Sequence, residues 1–275
     1  MDIIYKILTL CIVSSIPLLS QGSIKTSFAD HLFLKKEYYR AITEYEHCLF
    51  SETVTEADSV YCHLQIIKSY FQGQDYTSIL SYGDTLLRST KNSNLLDSIL
   101  FYMGMSYLHL NYPTSARIIF RSKPSIPRFQ LYSAISSLYS FDWDNSRNTF
   151  APLFSSADPV VAGTSKTIYE RLQHADEISH RSPFLAGALS AMVPGAGYAY
   201  TGNYQTGLST FIINSLLLGS SIELLRKDIK FTGSLVTVFA FGWWVGNIYG
   251  GVTSAYKYNE NKNTEAVKVF LEGVF

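Results

Sequence analysis

Apolar residues recur at steps of three and four between Ser23 and His180, which predicts a run of short amphipathic helices. Two stretches show this spacing most clearly, SFADHLFLKKEYYRAITEYEHCLF and YCHLQIIKSYFQGQDYTSILSYGDTLL. Each of them predicts two helices joined by a polar-aromatic turn, EYY in the first stretch and QDY in the second. The pattern therefore predicts an all-α fold for this part of the chain.

The predicted helix pairs repeat at a regular interval. Aligning Ala41 with Ile79 and then with Ala116 gives spacings of 38 and 37 residues, and Ser146 takes the corresponding place in a fourth, weaker unit. Helix–turn–helix units with a period of about 34 residues or slightly more are typical of arrays in which neighbours stack and share a core. We predict such a helical-repeat solenoid over residues 23–160.

The segment KEYYRAITEYEHCLF resembles the turn and second helix of a tetratricopeptide repeat. Ala41 takes the place of the small residue where the two helices cross, and Tyr45 that of the aromatic residue one turn later. The matching residues of the third unit are Gly104, Tyr107, Ala116 and Phe120. The second unit departs from the pattern because Ile79 replaces the small residue. The resemblance implies a concave groove that binds a peptide or another protein.

Charged residues disappear from most of the last third of the chain. No Asp, Glu, Lys or Arg occurs from Ser182 to Ile222 or from Phe231 to Tyr256. Because a membrane span needs about 20 apolar residues, we predict a transmembrane domain of two or three helices over residues 183–256. Over the whole chain, 22 Lys and Arg balance 22 Asp and Glu, which excludes a strongly basic nucleic-acid binder.

Small residues recur at intervals of four in the first and last of these apolar segments. Side chains of this size let helix backbones approach closely in lipid, where burial gives no hydrophobic gain. The predicted packing residues are Gly187, Ala191, Gly195 and Ala199 in the first segment and Gly242, Gly246 and Gly250 in the last. Asn214 and Asn247 are costly to expose to lipid, so we expect them to point into the bundle, where they could face each other.

The segment SPFLAGALSAMVPGAGYAYTGNYQTGL resembles a family of small bacterial membrane domains of unknown function. That family carries the pattern P-x-x-A…S-x-x-x-P-G-x-G-x-x-Y-x-G, and its closing span is similar to WWVGNIYGGVTSAYKYN. The residues that fit are Pro183, Ala186, Ser190, Pro194, Gly195, Gly197, Tyr200 and Gly202. Tyr198 departs from the pattern, because the family has Gln there. The resemblance implies a location in the bacterial cell envelope and no known activity.

Residues 1–22 have the pattern of a signal peptide, with Lys6 before an apolar stretch and small residues at Ser20 and Gly22. Export would place the repeats on the periplasmic side of the bacterial inner membrane, where disulfides form. Removal of the signal takes Cys11 with it. Cys48 and Cys62 are then a candidate disulfide pair, and two buried thiols are the alternative.

Two connecting segments complete the predicted layout. We predict a linker helix over 161–182 and a polar tail over 257–275. Three full spans would put the basic loop ELLRKDIK outside the cytoplasm, against the positive-inside tendency. A re-entrant turn at Val193-Pro194-Gly195 would leave two spans and return the tail to the side of the repeats, and we favour this arrangement.

The chain carries no motif that indicates catalysis. The segment GAGYAYTG lacks the Lys-Ser/Thr of a phosphate-binding loop, and His174, Glu177 and His180 do not have the spacing of a zinc motif. We therefore expect no enzymatic activity, metal or cofactor. The expected function is a membrane-anchored scaffold whose repeats bind a protein partner while its spans contact lipid. The alternative is a small transporter or pore component with the repeats as an accessory domain.

The choice between these two classes depends on the polar residues of the spans. A conducting protein is expected to carry ionisable or strongly polar side chains that face inward from its helices. Only Asn214 and Asn247 meet this expectation, so the scaffold is favoured.

Overall fold

The computed structural model describes residues 26–51 and 54–274, and within these ranges the chain forms α-helices and turns without any β-strand. The all-α prediction is therefore confirmed. The predicted signal peptide, residues 1–22, lies outside the described residues. The chain divides into two compact units, one made of Met1–Ala175 with Val267–Phe275 and the other of Asp176–Ala266.

Four helical hairpins form most of the first unit, and each packs on the next. The first two hairpins are α1 (Ser27–Leu34) with α2 (Tyr38–Leu49) and α3 (Glu56–Gln72) with α4 (Tyr76–Ser89). The other two are α5 (Ser93–His109) with α6 (Pro113–Arg121) and α7 (Pro127–Leu138) with α8 (Trp143–Phe150). The predicted polar-aromatic turns lie between the two helices of a hairpin.

All four hairpin turns share one backbone geometry. Each contains one residue in the left-handed region, and these are Lys36 (φ 63°), Gln74 (φ 61°), Asn111 (φ 63°) and Phe141 (φ 56°). In the first turn, the next N–H, that of Glu37, donates to the carbonyl oxygen of Leu32 at 3.0 Å, a bond that satisfies a helix-terminal carbonyl. Lys36, Gln74 and Asn111 are separated by 38 and 37 residues, the same spacings at which the sequence units were aligned.

The residues aligned between units occupy equivalent buried positions. Ala41, Ile79, Ala116 and Ser146 are all 0% exposed. In the third hairpin, a Cβ on Gly104 would lie 2.6 Å from the ring atom Cζ of Phe120, so only glycine lets α5 and α6 pack at this distance. The structure thus contains four successive helical hairpins, whereas the helical-repeat solenoid and the tetratricopeptide assignment stay predictions.

Helix α9 (Pro159–Leu172) differs from the predicted linker helix over 161–182. It follows a short 3₁₀ turn, Ala151–Ser155, and belongs to the first unit. Val161, Ile168 and Leu172 are buried because their spacing places them on one face of the helix. A second 3₁₀ turn, Gln173–Glu177, then carries the chain into the second unit.

The second unit contains α10 (Pro183–Met192), α11 (Ala196–Tyr200), α12 (Tyr204–Arg226) and most of α13 (Lys230–Leu271). By length and composition, α12 and α13 are each sufficient to cross a membrane, with mean hydropathies of 1.5 and 1.3 in their most apolar stretches. Only 17% and 11% of those stretches is buried within the structure. They are therefore unlike the core helix of a soluble protein, which is mostly buried.

The end of α13 returns to the first unit, where a polar tail was predicted from residue 257. Phe270 is buried and packs edge-on against Trp143 of α8, with ring centroids 5.6 Å apart. The guanidinium of Arg171 in α9 donates to the carbonyl oxygens of Val269 and Phe270 at 3.2 and 3.0 Å, and also to that of Glu272. A cation at this position satisfies terminal carbonyls that have no partner within the helix.

Candidate functional site: the glycine-lined hairpin and the first repeat

Helices α10 and α11 form a tight hairpin at the start of the second unit. The hydroxyl of Tyr200, at the end of α11, accepts a hydrogen bond from the backbone N–H of Ser182, just before α10, at 3.2 Å. The end of α11 therefore lies beside the start of α10. Ten residues of α-helix are about 15 Å long, half of the roughly 30 Å hydrocarbon core of a bilayer. This path has the shape of the favoured re-entrant turn.

Local sequence sets the position of this turn. The Ser182 hydroxyl caps α10 by accepting from the N–H of Leu185 at 3.2 Å, and Pro183 suits the first helical position. Helix α10 ends before Pro194, which has no N–H to continue the ladder. Gly195 follows with φ at 91°, a left-handed conformation that glycine adopts without strain.

Glycines let the hairpin backbone pack directly against backbone. A Cβ on Gly195 would overlap the carbonyl oxygen of Gly207 in α12, and one on Gly207 would lie 2.8 Å from the carbonyl oxygen of Gly195. Within the hairpin, a Cβ on Gly197 would overlap the carbonyl oxygen of Ala186. The Pro-Gly-x-Gly segment is thus a packing motif in which larger residues have no room.

The hairpin also packs closely against α13. A Cβ on Gly187 would lie 2.7 Å from Cγ2 of Val252, and one on Gly250 would overlap the hydroxyl of Tyr198. Side-chain hydrogen bonds reinforce this surface. The indole N–H of Trp244 donates to the carbonyl oxygen of Ser190 at 3.2 Å.

The predicted ladder of small residues in α13 is divided between two environments. Gly250 faces the hairpin, whereas no other described part of the chain comes within 4 Å of a Cβ placed on Gly242 or Gly246. These two glycines thus have no packing partner among the described residues, and their packing role stays a prediction. The reason is the length of the hairpin, since ten helical residues cover only part of α13. In the first segment, Ala191 is half-buried.

The two asparagines of the long apolar helices α12 and α13 both carry an amide atom without a partner among the described residues. Asn214 is 2% exposed and its Nδ2 donates to the carbonyl oxygen of Thr210 at 2.8 Å. Its Oδ1 and the Nδ2 of Asn247 are buried and accept or donate no hydrogen bond among the described residues. The two unpaired atoms are chemically complementary, although no hydrogen bond joins them.

A cluster that the sequence analysis missed lies at the end of the hairpin. The side chain of Asn259 in α13 holds the backbone of Arg181, accepting from its N–H at 2.7 Å and donating to its carbonyl oxygen at 2.9 Å. The guanidinium of Arg181 lies over the rings of Tyr200 and Tyr258, 5.0 and 5.7 Å from their centroids. Tyrosine and arginine at the edges of apolar segments are typical of a membrane interface, and this signal could have located the cluster.

Helices α5 and α7 of the first unit do not line an open groove along their whole length. Residues 131–138 of α7 are all buried, and so are residues 101–106 of α5. Several helices of the first unit expose single apolar side chains, and the first hairpin exposes four, which are Phe28 (53%), Leu34 (78%), Tyr39 (60%) and Phe50 (88%). We call these four residues the first-hairpin surface.

One carboxylate holds the first hairpin to the second. The hydroxyls of Tyr45 in α2 and Tyr61 in α3 both donate to Oδ1 of Asp30 in α1, at 2.7 and 2.8 Å. Burial, and then this hydrogen bond to Asp30, raises the pKa of both tyrosines above its ordinary value. The hairpin that carries the first-hairpin surface is therefore joined to α3 through Asp30, which accepts hydrogen bonds from both α2 and α3.

The two cysteines of the described chain meet in the core of the first hairpin. Cys62 is 0% exposed and Cys48 is half-buried, and both belong to the cluster around Ala41, Ile42 and Tyr45. No disulfide joins them, and the Cys48 side chain lies within hydrogen-bonding reach of the Cys62 thiol. The structure thus places the predicted pair together without a covalent bond.

Comparisons with known proteins add no relative to this picture. The chain matches no protein-family model, no curated protein and no solved structure. The tetratricopeptide and membrane-domain resemblances therefore rest on the residues alone.

Proposed function

We propose that the protein is a membrane-anchored interaction scaffold of the bacterial envelope, whose helical hairpins hold a protein partner beside the bilayer. The observation that carries the proposal is the pairing of two surfaces in one chain. One unit exposes long apolar helices that suit lipid, and the other exposes apolar side chains on a hairpin that suits a protein.

The surfaces of α12 and α13 support insertion into a bilayer. Large apolar side chains remain exposed along both helices, among them Leu208, Phe211, Leu216, Leu235, Val238 and Phe241. A continuous apolar surface of this kind is an aggregation hazard in water, but lipid tails cover it at no cost. The unpaired atoms of Asn214 and Asn247 are buried, so they do not interrupt the lipid-facing surface.

The contacts of the C-terminus support an even number of membrane crossings. Phe270 packs on Trp143, and Arg171 binds the last carbonyls of α13, so residues 267–274 lie on the same side of the membrane as the repeats. A chain that leaves this side at residue 176 and returns by residue 267 crosses twice or not at all. Helices α12 and α13 supply the two crossings, and the α10–α11 hairpin enters and leaves on one side.

The orientation follows from the loop between the two spans. Arg226, Lys227 and Lys230 flank this short loop, and such clusters of basic residues stay in the cytoplasm. The repeats and the C-terminus then lie on the periplasmic side of the inner membrane. This side agrees with the export predicted from residues 1–22.

The first-hairpin surface is the proposed place for the protein partner. Repeat arrays require a polar outer face on a terminal repeat for solubility, whereas the first described hairpin exposes Phe28, Leu34, Tyr39 and Phe50. Aromatic side chains dominate the energetics of protein interfaces. Since α5 and α7 are buried over long stretches, a partner in the inner groove has less apolar surface to contact than one on the first hairpin.

Site-specific photocrosslinking tests this assignment. A photoreactive phenylalanine analogue at position 50 is expected to give one adduct of defined mass in membranes, and the adduct is expected to weaken about tenfold or more when Leu34→Ser removes another apolar side chain of the first-hairpin surface. Ile118→Ser is the matched control, because Ile118 is similarly exposed at 66% but lies on the third hairpin. Equal loss in both variants, or no adduct at all, would contradict the proposed surface.

A further inference from the structure

We infer that Cys48 and Cys62 form a structural disulfide whenever the first unit meets a disulfide oxidant, and that this bond staples α2 to α3. The inference concerns a covalent modification and does not depend on the proposed scaffold function. It rests on the packing of the first hairpin against the second.

The geometry brings the two sulfur atoms together from neighbouring helices. Cys48 lies in the last turn of α2 and Cys62 in the second turn of α3, and both side chains pack in one cluster with Ile66. The turn that follows α2 is tight, since the N–H of Ser51 donates to the carbonyl oxygen of Cys48 at 3.2 Å. The Cys48 side chain hydrogen-bonds with the Cys62 thiol within this cluster, so the two sulfur atoms are neighbours, as a bridge requires.

The chemistry requires an oxidant with its own disulfide bond, such as oxidised glutathione or a protein disulfide. The half-buried Cys48 attacks first as its thiolate, breaks the disulfide of the oxidant and releases one of its sulfurs as a thiol. Cys62 then attacks Cys48 in this mixed disulfide and releases the second sulfur as a thiol. In sum, two protein thiols lose two electrons and two protons, and the oxidant is reduced to two thiols.

The surroundings of Cys62 favour a structural bond over a redox-active one. Burial, followed by the nearby Cys48 and Asp58, raises the pKa of the Cys62 thiol to about 12. Redox-active cysteines have a lowered thiol pKa, which stabilises the reduced form and makes their disulfides strong oxidants. Nothing in this site stabilises a thiolate at Cys62, so the bridge is expected to resist reduction once formed.

Thiol counting on the purified protein tests the bond. In a Cys11→Ser background, the protein that has been reduced with dithiothreitol and freed of it is expected to react, once denatured, with two maleimides before treatment with oxidised glutathione and with none after it. Treatment with dithiothreitol in denaturant should restore both reactive thiols. Two free thiols after oxidation, or a glutathione adduct on Cys48 beside a free Cys62, would overturn the inference.

A stability measurement separates the staple from an incidental bond. Closing a loop of about 15 residues is expected to raise the midpoint of thermal unfolding by about 5 to 10 °C in the oxidised protein. The Cys48→Ser variant should show no change with the same oxidant. An equal shift in that variant, or no shift in the bridged protein, would contradict a structural role.

The state of the pair in cells then reports on the proposed orientation independently. Alkylation of living cells before lysis should trap the bridge if the repeats lie in the periplasm. If the bond forms in the purified protein but the thiols are free in cells, the disulfide inference stands and the proposed orientation fails.

Discussion

His109 is a titratable side chain among aromatic rings at the end of α5. It is 6% exposed, stacks on Tyr76 with ring centroids 4.4 Å apart and meets the edge of Phe71 at 5.2 Å. Burial lowers the pKa of this imidazole to about 4 because the charged form loses its hydration. The second and third hairpins therefore pack together around His109, whose imidazole is neutral in the folded protein at pH 7.

The stability of the first unit is therefore expected to fall as the solution becomes acidic. The unfolded chain binds a proton at His109 below about pH 6.5, whereas the folded chain does so only near pH 4, so stability is complete above pH 6.5 and is lost between these values. Urea unfolding at pH 7.5 and pH 5 measures the loss, which we expect to be about 1 to 2 kcal/mol.

The His109→Phe variant provides the test of this assignment. Phenylalanine keeps the aromatic packing and removes the titration, so most of the difference between pH 7.5 and pH 5 should disappear. His47→Phe is the matched control, since His47 is exposed at the end of α2. A pH dependence that survives in His109→Phe would assign the effect to other groups.

At the scale of elements, helix α13 presents the same residue type in two different environments. Gly250 meets the hydroxyl of Tyr198 from the α10–α11 hairpin, but Gly242, two turns earlier, meets no other described part of the chain. Both lie in the same helix and in the same Gly-x-x-x-Gly series. Their substitution therefore separates packing from helix propensity.

We expect Gly250→Leu to destabilise the second unit by about 1 to 3 kcal/mol or more, because the new side chain must displace Tyr198. Gly242→Leu should leave stability unchanged or slightly raised, since leucine is the better helix former. Thermal unfolding in detergent and abundance in membranes measure both effects. Equal losses in the two variants would mean that Gly242 has a packing partner in the membrane.

The hairpins of the first unit were predictable because their determinants are local. A turn residue and a buried residue recur at a fixed spacing, so the buried positions of Ala41 and Ala116 could be predicted from the nearby sequence. The environment of Gly242 was not predictable. The helical period shows which residues share a face of α13, but it does not show what packs against that face. The pairing of Asn259 with Arg181 was missed for a related reason, since 78 residues separate two side chains that only the tertiary fold brings together.

At the scale of the whole molecule, the path of the chain determines which parts share a side of the membrane. The repeats and the end of α13 belong to one unit, and the loop at Asp228 lies between two membrane-length helices. The proposed two-span arrangement requires residues 183–200 to form a re-entrant hairpin. Were residues 183–200 a full span, the contact of Phe270 with Trp143 would require the C-terminus to be on two sides at once.

Labelling of introduced cysteines tests this topology. In a background without native cysteines, Ser125→Cys is expected to react in cells with a thiol reagent that enters the periplasm but does not cross the inner membrane. Asp228→Cys should react at least about tenfold less until the inner membrane is broken, because its loop carries the basic residues that stay inside. Ser125 is exposed in the turn before α7 and serves as the accessible control.

Each pattern of labelling has a distinct meaning. Reaction at both positions in intact cells would establish an even number of crossings between Ser125 and Asp228 and would exclude the two-span arrangement, in which one crossing separates them. Reaction at Asp228→Cys alone would preserve two spans and reverse the orientation.

The docking of the C-terminus also sets an order of events during biosynthesis. Phe270 packs on Trp143, and Arg171 binds the carbonyl oxygens of Val269 and Phe270, but these residues of α13 are synthesised after all of the repeats. At about 5 to 20 residues per second, they follow the completed repeats by roughly 5 to 20 s, while α12 and α13 are being delivered to the membrane. Until then Trp143 lacks the cover of Phe270, so a chain that stalls before the end of α13 displays an apolar surface to proteases.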